Sequence, residues 1–259
     1  MPTLVMKFGG ASVATPAHFA QIADIILARS KQFEKIAVVV SAMGDTTNHL
    51  IALANQVNEN PPRREYDMLV TVGERISVAL LAMALAKKGA EAVSFTGSQS
   101  GIMTCNRHSE ARIVDVRPHR ILKGFEANKI VIVAGFQGVS QNGEITTLGR
   151  GGSDTTAVAI ASALKASHVE FFKDVPGVFT EDPKTNPEAV LQEELSYKAA
   201  LNIMLKGAKI LHQRCVFLAE KNKIPLHIYS FKDNGQKMGT IIKEASVAYP
   251  EKPAYEDHE

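Results

Sequence analysis

The chain has 259 residues, of which 45% are hydrophobic and 22% are charged. These proportions are ordinary for one large or two small globular domains, and they exclude a chain that is mainly disordered. Lysine and arginine number 29 against 27 acidic residues, and tryptophan is absent, which argues against an extended nucleic-acid interface. The two cysteines are too few for a disulfide scaffold. They predict a reducing compartment, with the cytoplasm as the expected location.

Membrane association is not expected from the sequence. The longest apolar run, 78–86, has nine residues and is followed by two lysines, whereas a transmembrane helix needs about 20 predominantly apolar residues. The first ten residues, MPTLVMKFGG, also lack the basic start and apolar centre of a secretory signal. We therefore predict no membrane partner.

Short β-branched runs alternate with helical patterns along the chain. Strands are predicted, in chain order, at 3–8, 35–40, 92–96, 112–116, 129–134, 169–173 and 226–230, with a hairpin arm at 144–148. Helices are predicted at 16–31, 47–58, 66–87, 118–127, 153–166, 196–205 and 208–221. This alternation indicates an α/β fold with a largely parallel central sheet.

Gly73 lies inside the predicted helix 66–87. An interior glycine costs about 1 kcal/mol relative to alanine. We therefore expect either a break in the helix or a close approach of another backbone at this position.

The first predicted strand ends in Lys7-Phe8-Gly9-Gly10. In open α/β sheets, ligands bind beyond the carboxyl ends of the strands, and glycines there let backbone N–H groups approach a phosphate. Lys7, Gly9 and Gly10 are therefore candidate phosphate ligands. The alternative is a plain tight turn with an exposed lysine.

The most specific segment is 147–156, TLGRGGSDTT. Three glycines surround Arg150, and Ser153 or Asp154 is a plausible N-cap of the alanine-rich helix that follows, so free N–H groups would form an anion site. The pattern is neither a Walker loop nor a GxGxxG fingerprint. An arginine held in a rigid loop suits bidentate capture of a carboxylate, although a glycine-rich surface loop is the alternative.

A second group of candidates lies downstream. Pro176-Gly177 sets a turn after a predicted strand and would expose one wall of a pocket. Lys209 stands at the predicted start of a helix, where the helix dipole disfavours a cation unless an anion is close. His212 is either an acid/base or metal candidate or a structural histidine. No His, Cys and carboxylate cluster has ligand spacing, so no metal bound only by protein is expected.

Seven motifs occur in the order found in aspartokinases, namely KFGG, SAMG, VGE, GFQG, TLGRGGSD, KDVPGV and GAKILH. Over about residues 2–243 the chain therefore resembles the catalytic domain of the aspartokinases, which belong to the amino acid kinase family. The resemblance implies a three-layer α/β/α sandwich, with an acceptor-binding lobe at about 1–137 and an ATP-binding lobe at about 138–243. Residues 244–259 contain two prolines and five acidic residues, and we predict a disordered acidic tail there.

The resemblance also implies a role for each motif residue. Lys7, Asp154 and Lys209 would be catalytic, with Lys7 on the transferring phosphoryl group. Glu74 would meet the α-ammonium group of the substrate and Arg150 its α-carboxylate. The other substrate-binding residues would be Ser41, Thr47, Phe136, Gly151, Gly152 and Ser153. The nucleotide side would comprise Lys7, Gly9, Gly10, Ser153, Lys173, Asp174, Phe179, Lys184 and Lys209.

The reaction implied by the resemblance is phosphorylation of the side-chain carboxylate of L-aspartate by ATP, the entry step of aspartate-derived lysine and threonine biosynthesis. A carboxylate is already an anionic nucleophile, so catalysis reduces to alignment and charge neutralisation without a general base. Mg²⁺ is expected, held chiefly by ATP oxygens and water.

Two other functions stay open on the residues alone. One is a kinase of glutamate or of another acidic metabolite, because one methylene group is worth only about 1–3 kcal/mol of discrimination. The other is a catalytically silent nucleotide-binding subunit. Glu74 together with Arg150 favours an α-amino acid with a free amine, since a blocked amine would leave Glu74 without a cation.

Departures from the family pattern concern two positions and the length. Gln213 and Lys184 stand where members commonly carry proline and arginine, and a lysine offers a phosphate a point charge without the arginine fork. Most aspartokinases continue into paired ACT regulatory domains, which this sequence does not contain. We expect a homodimer that acts on a small molecule, and a regulatory subunit acting in trans is an alternative source of control.

Overall fold

A central eight-stranded sheet organises the chain in the computed structural model, which describes residues 2–181, 186–207, 210–244 and 250–256. The described strands are β1 (Thr3–Phe8), β2 (Lys35–Val40), β3 (Ala92–Phe95), β4 (Ile102–Thr104), β5 (Ile113–Val116), β6 (Ile130–Ala134), β7 (Gln137–Ser140), β8 (Ile145–Thr147), β9 (His168–Lys173), β10 (Glu194–Leu195), β11 (Leu226–Ser230) and β12 (Met238–Ile242). The central order is β10-β12-β11-β9-β1-β2-β6-β3, and the pairs are parallel except β11 with β12. The predicted α/β class with a largely parallel sheet is confirmed.

Helices cover both faces of this sheet. They are α1 (Pro16–Arg29), α2 (Thr46–Val57), α3 (Arg63–Val70), α4 (Val72–Lys87), α5 (His119–Glu126), α6 (Gly152–Leu164), α7 (Tyr197–Leu205) and α8 (Gln213–Asn222). Leu4, Met6 and Phe8 of β1 pack with α1 and α4 on one face, whereas Val5 packs with α5 to α8 on the other. Because strand side chains alternate between faces, Lys7 lies on the Val5 face, where α6 packs against β1.

A smaller four-stranded sheet, of order β5-β4-β7-β8, lies beside the central one. β7 and β8 form an antiparallel hairpin that ends at Thr147, and α6 begins five residues later, at Gly152. The hairpin therefore delivers the chain directly into the glycine-rich segment that the sequence singled out.

Helix bounds differ from the prediction at two places. The predicted helix 66–87 is two helices, α3 and α4, which meet at Thr71. Gly73 lies inside α4, two residues after this break, and a Cβ atom there would lie 2.7 Å from the Cβ atom of Ala42, so the expected close approach at Gly73 is confirmed. The helix predicted at 208–221 begins only at Gln213, because His212 has extended backbone and its Nδ1 accepts from the N–H of Arg214 at 3.4 Å.

The prediction of a disordered tail is wrong for residues 250–256, which pack on the body of the protein. The side chain of Asn222 exchanges two hydrogen bonds with the backbone of Ala254, at 2.7 and 2.8 Å. Tyr255 packs against the larger hydrophobic core, and Glu256 bonds to Arg214 and Ile113. Buried polar partners elsewhere in the chain hold the segment, and its own composition does not reveal them.

The segment Arg63–Lys87, comprising α3 and α4, is long and apolar enough to cross a membrane by length and composition, with a mean hydropathy of 1.8. Such a test also selects core helices of globular proteins. Here α4 packs on β3, β6 and α1, and Asp67 and Glu74 point into the protein interior. This packing indicates a core helix.

Candidate active site

A cleft of about 1240 Å³ opens where β1, β2 and β6 end and α6 begins. Residues predicted for both substrates line it together, although they come from distant parts of the chain. They are Lys7, Gly10, Ser41, Thr47, Glu74, Phe136, Arg150, Gly151, Gly152, Ser153 and Asp154. The cleft thus lies at the carboxyl edge of a parallel sheet, where α/β folds bind ligands.

The remaining predicted residues are not in the described lining of this cleft. Gly9 precedes Gly10 at the end of β1, and a Cβ atom on it would lie 3.5 Å from Lys7 Nζ. Asp174 and Phe179 follow β9, and Phe179 forms an isolated bridge with Leu191. Lys184 and Lys209 fall outside the described residues. The nucleotide roles of these residues stay predictions.

Lys7, Asp154 and Lys173 form a buried charged cluster at the base of the cleft. Lys7 Nζ lies 2.6 Å from Asp154 Oδ1, and Lys173 Nζ lies 3.0 Å from Asp154 Oδ2. Lys7 ends the central strand β1, Lys173 ends the neighbouring strand β9, and Asp154 stands in the first turn of α6. One carboxylate therefore holds two cations at the sheet edge, and the cluster keeps a net positive charge.

Burial shifts the titration of this cluster. Desolvation disfavours the charged carboxylate of Asp154, but Lys173 and Lys7 outweigh it and lower the pKa of Asp154 to about 2. Desolvation also lowers the pKa of Lys7, and the charge of Asp154 opposes that shift. The two lysines therefore favour the ionised form of Asp154, in which it is their common counterion.

Glu74 lies on α4 where this helix passes close to the end of β2. Its Oε1 accepts from the N–H of Ala42 at 3.0 Å, an approach that Gly73 permits by lacking a side chain. Its Oε2 is buried without a hydrogen-bond partner among the described residues. Burial raises the pKa of Glu74 to about 7. A buried carboxylate oxygen that lines a cleft without a donor is a ready site for a cation.

The loop 148–151 connects β8 to α6 along the rim of the cleft. Gly149 and Gly151 have φ values of 71° and 72°, in the left-handed region that favours glycine. A Cβ atom on Gly151 would lie 2.2 Å from the His212 ring, so the loop rests directly on this histidine. Arg150 between them is exposed, and it has no hydrogen-bond or ion-pair partner within the described ranges.

The predicted N-cap of α6 needs correction. Gly151, in left-handed conformation, is the cap, and Ser153 and Asp154 lie in the first turn. The N-terminus of α6 has no side-chain cap, so N–H groups of its first turn are available to an anion in the cleft. The prediction of an anion site at this helix start does not depend on which residue is the cap.

His212 is a structural residue at the start of α8. Its Nδ1 accepts from a backbone N–H, its ring supports Gly151, and burial followed by the charge of Arg214 lowers its pKa. Among the described residues, no three His, Cys, Asp or Glu side chains converge as metal ligands.

The amino acid kinase family matches residues 2–230, nearly the whole of the fold just described. The chain belongs to this family. An aspartokinase of Mycolicibacterium smegmatis is 49% identical to it over 94% of this chain and 58% of that protein. An aspartokinase of Geobacillus stearothermophilus is 47% identical over 94% of this chain and 60% of that protein. The chain therefore spans less than two thirds of the length of these relatives.

Two solved structures of the amino acid kinase family resemble the chain closely. Aspartate kinase from Synechocystis superposes with a TM-score of 0.83 at 42% identity, covering 96% of this chain and 40% of that one. Aspartokinase III from Escherichia coli, solved in complex with aspartate and ADP, gives a TM-score of 0.85 at 28% identity, covering 95% of this chain and 65% of that one.

The sequence prediction missed one organising residue of this amino acid kinase site, Asp67. It is fully buried on α3 and accepts hydrogen bonds from Thr147 Oγ1 at 2.6 Å, from the N–H of Ser109 at 3.0 Å and from His108 Nδ1 at 2.8 Å. Thr147 and Ser109 line the cleft. Asp67 lies on α3 and Glu74 on α4, on either side of the break at Thr71, so a single helical pattern over 66–87 gave no signal for this residue.

Proposed function

We propose that the chain is the catalytic domain of an aspartokinase, which transfers the γ-phosphoryl group of ATP to the side-chain carboxylate of L-aspartate. The observation that carries the proposal is that one cleft presents both a buried Glu74 oxygen and the Arg150 guanidinium, neither of which has a hydrogen-bond partner among the described residues. An α-amino acid presents one ammonium and one carboxylate group to these two side chains. The names of the relatives, and the aspartate and ADP bound to the Escherichia coli enzyme, support the assignment.

In the proposed reaction the chain positions two anions and neutralises charge. Lys7 and the N-terminus of α6 contact the transferring phosphoryl group. Lys173 on β9 shares the carboxylate of Asp154 with Lys7 and adds a second positive charge near the phosphates. The acceptor carboxylate attacks phosphorus directly, the bond to the leaving ADP oxygen breaks, and no proton moves. No general base is needed, in agreement with the structural role of His212.

A divalent cation bound with ATP would reduce the charge of the phosphates. Asp154 is already paired with two lysines and the described part of the chain offers no cluster of three metal ligands, so the nucleotide would have to supply most of the ligands of such a cation. We propose Mg²⁺, held chiefly by the nucleotide and by water.

The decisive experiment is an ADP-release assay combined with trapping of the acyl phosphate by hydroxylamine. L-Aspartate should give both ADP and a hydroxamate, glutamate should be weaker, and N-acetylaspartate should be inactive because it cannot provide an ammonium for Glu74. Hydroxamate from glutamate in preference to aspartate would establish the alternative acceptor. Nucleotide binding without turnover on any amino acid would establish a silent subunit.

Replacing Arg150 with alanine should raise the aspartate KM about 10- to 150-fold with little change in the ATP KM, because a charged hydrogen bond contributes roughly 1.5–3 kcal/mol. Steady-state kinetics with each substrate varied in turn measures the split. Arg150→Lys is the matched control, since it keeps the positive charge and loses the guanidinium fork. Its aspartate KM should lie between those of the parent and Arg150→Ala. A large ATP KM shift at unchanged aspartate KM would move Arg150 to the nucleotide side.

Binding of aspartate should depend on pH through Glu74, whose pKa is raised to about 7. Only the ionised carboxylate pairs with an ammonium, so kcat/KM for aspartate should fall about tenfold per pH unit below 7 and level off above it. In Glu74→Gln this inflection should disappear and the aspartate KM should rise. An unchanged profile in the variant would remove Glu74 from the amine site.

Ionisation of Glu74 should also affect stability: it favours aspartate binding but lowers the free energy of unfolding. A carboxyl group whose folded pKa exceeds its unfolded value destabilises the fold as pH rises from about 4.5 towards 7. At pH 8 the free energy of unfolding of substrate-free Glu74→Gln should therefore exceed that of the parent by up to roughly 3 kcal/mol. At pH 4 the two proteins should be equally stable. Denaturant titrations at both pH values measure the difference.

We also propose a cytoplasmic homodimer. Val72, Ile76 and Met83 are exposed apolar residues on one face of α4, and a second copy of the chain would cover such a face. Light scattering of the purified chain, compared with Ile76→Glu, tests this assembly. A monomer at every concentration would contradict it.

A further inference from the structure

Glu256, in the docked segment 250–256, makes a bidentate ion pair with Arg214 of α8. Arg214 Nε donates to Glu256 Oε1 at 2.7 Å and Nη2 donates to Oε2 at 2.8 Å. Glu256 also exchanges backbone and side-chain hydrogen bonds with Ile113, at 3.0 and 2.9 Å. The Glu256 side chain is 10% exposed and that of Arg214 is 17% exposed. Planar pairing of this kind fixes the orientation of the guanidinium as well as its position.

Arg214 uses its remaining donors on the backbone at the rim of the cleft. Nη1 donates to the carbonyl oxygen of Leu148, and Nη2 also donates to that of Ala111 at 3.1 Å. Leu148 is the residue immediately before Gly149-Arg150-Gly151, and its backbone carbonyl marks the start of this loop. At the other end, His212 supports Gly151. The start of α8 thus holds both ends of the loop that presents Arg150.

We propose that Glu256 is a positioning residue for this substrate loop. It orients Arg214, Arg214 holds the Leu148 carbonyl, and the loop then presents Arg150 to the acceptor carboxylate; the inference rests on the proposed function of Arg150. Without Glu256, the described partners of Arg214 are backbone carbonyl groups alone. Because Arg214 lines the cleft, its guanidinium could then turn towards an anion bound there. Docking of segment 250–256 and binding of the acceptor are therefore coupled, and the coupling is reciprocal.

Kinetics of four variants and one control variant test the contacts from Glu256 to the loop. Glu256→Ala and Arg214→Ala should each raise the aspartate KM about tenfold, with kcat within about twofold and the ATP KM unchanged. The double variant should be no worse than either single variant, because both remove the same link. Glu256→Gln, which retains an acceptor for Ile113, should lie in between. Glu251→Ala is the matched control, an exposed acid in the same segment, and should behave as the parent.

Hydrogen exchange supplies a readout that does not depend on turnover. In the substrate-free protein, Glu256→Ala should speed exchange of the amides at 148–152, whereas Glu251→Ala should not. Added aspartate should slow exchange at 250–256 in the parent and fail to do so in Arg150→Ala. If aspartate proves not to be the substrate, the substrate-free comparison still tests whether Glu256 holds the loop 148–151.

Three results would overturn the proposal. The first is an additive effect in the double variant. The second is a fall in kcat with an equal rise in both KM values and a lower melting temperature. The third is hydrogen exchange at 148–152 that is the same with and without Glu256. The second pattern would assign Glu256 a general role in stability only.

Discussion

Lys7→Ala should lower kcat about a hundredfold or more while the aspartate KM changes little. Lys7 Nζ is buried at the end of the central strand, 2.6 Å from Asp154, where its charge is preorganised for a phosphoryl group that becomes more negative during transfer. Loss of one such contact costs on the order of 3 kcal/mol in the transition state. Rapid-quench measurement of a single turnover would separate this chemical step from product release.

The control for Lys7→Ala is Lys7→Met, which keeps the apolar stem of the side chain in place. Both variants should show the same loss, since both remove the ammonium group. Turnover close to that of the parent in either variant would refute the assignment of Lys7 to the phosphoryl group. A loss in alanine alone would indicate a cavity effect.

Asp154→Ala should lower the free energy of unfolding by about 3–5 kcal/mol near neutral pH, because the buried ammonium group of Lys7 and the partly buried one of Lys173 lose their common counterion. In this variant Lys7 would hold its proton less readily in the folded state than in the unfolded state. Stability should therefore rise with pH between 7 and 10 more steeply than in the parent. Denaturant titrations at several pH values measure both effects.

A compensating variant makes the Asp154 prediction specific. Adding Lys173→Met to Asp154→Ala removes one of the stranded charges and should recover part of the lost stability. ATP should also raise the melting temperature of Asp154→Ala, since its phosphates are alternative counterions for the lysines. A destabilisation below about 1 kcal/mol, or no recovery in the double variant, would show that the cluster is not electrostatically coupled in this way.

Local sequence patterns predicted the parts of the fold that local physics controls. Strands β1 and β2 have the bounds predicted from continuous apolar runs, and Gly73 marks a close contact, as its cost in a helix indicated. The residues that line the cleft were found through motifs at strand ends and through family resemblance. The structure brings most of them together.

What could not be predicted depends on partners far away in the chain. Glu256 bonds to Arg214, 42 residues before it, and to Ile113, 143 residues before it, so an acidic and proline-containing composition gave no sign of docking. Near Asp67 the sequence shows only an acidic residue in a helical pattern. Its hydroxyl donor, Thr147, lies 80 residues later in the chain. The late start of α8 has the same origin, because His212 packs under Gly151 instead of extending the helix.

Lys7 belongs to the central strand of the sheet, between β2 and β9. It should therefore keep its position at higher temperature than the glycine loop that carries Arg150. Core strands open only when the whole domain unfolds, whereas glycine loops and docked terminal segments open at lower free energy. On warming, the loop with Arg150 should loosen first, and the grip on the acceptor should weaken while phosphate binding persists. On the proposed roles of Arg150 and Lys7, the KM for the acceptor would therefore rise with temperature before nucleotide binding is lost.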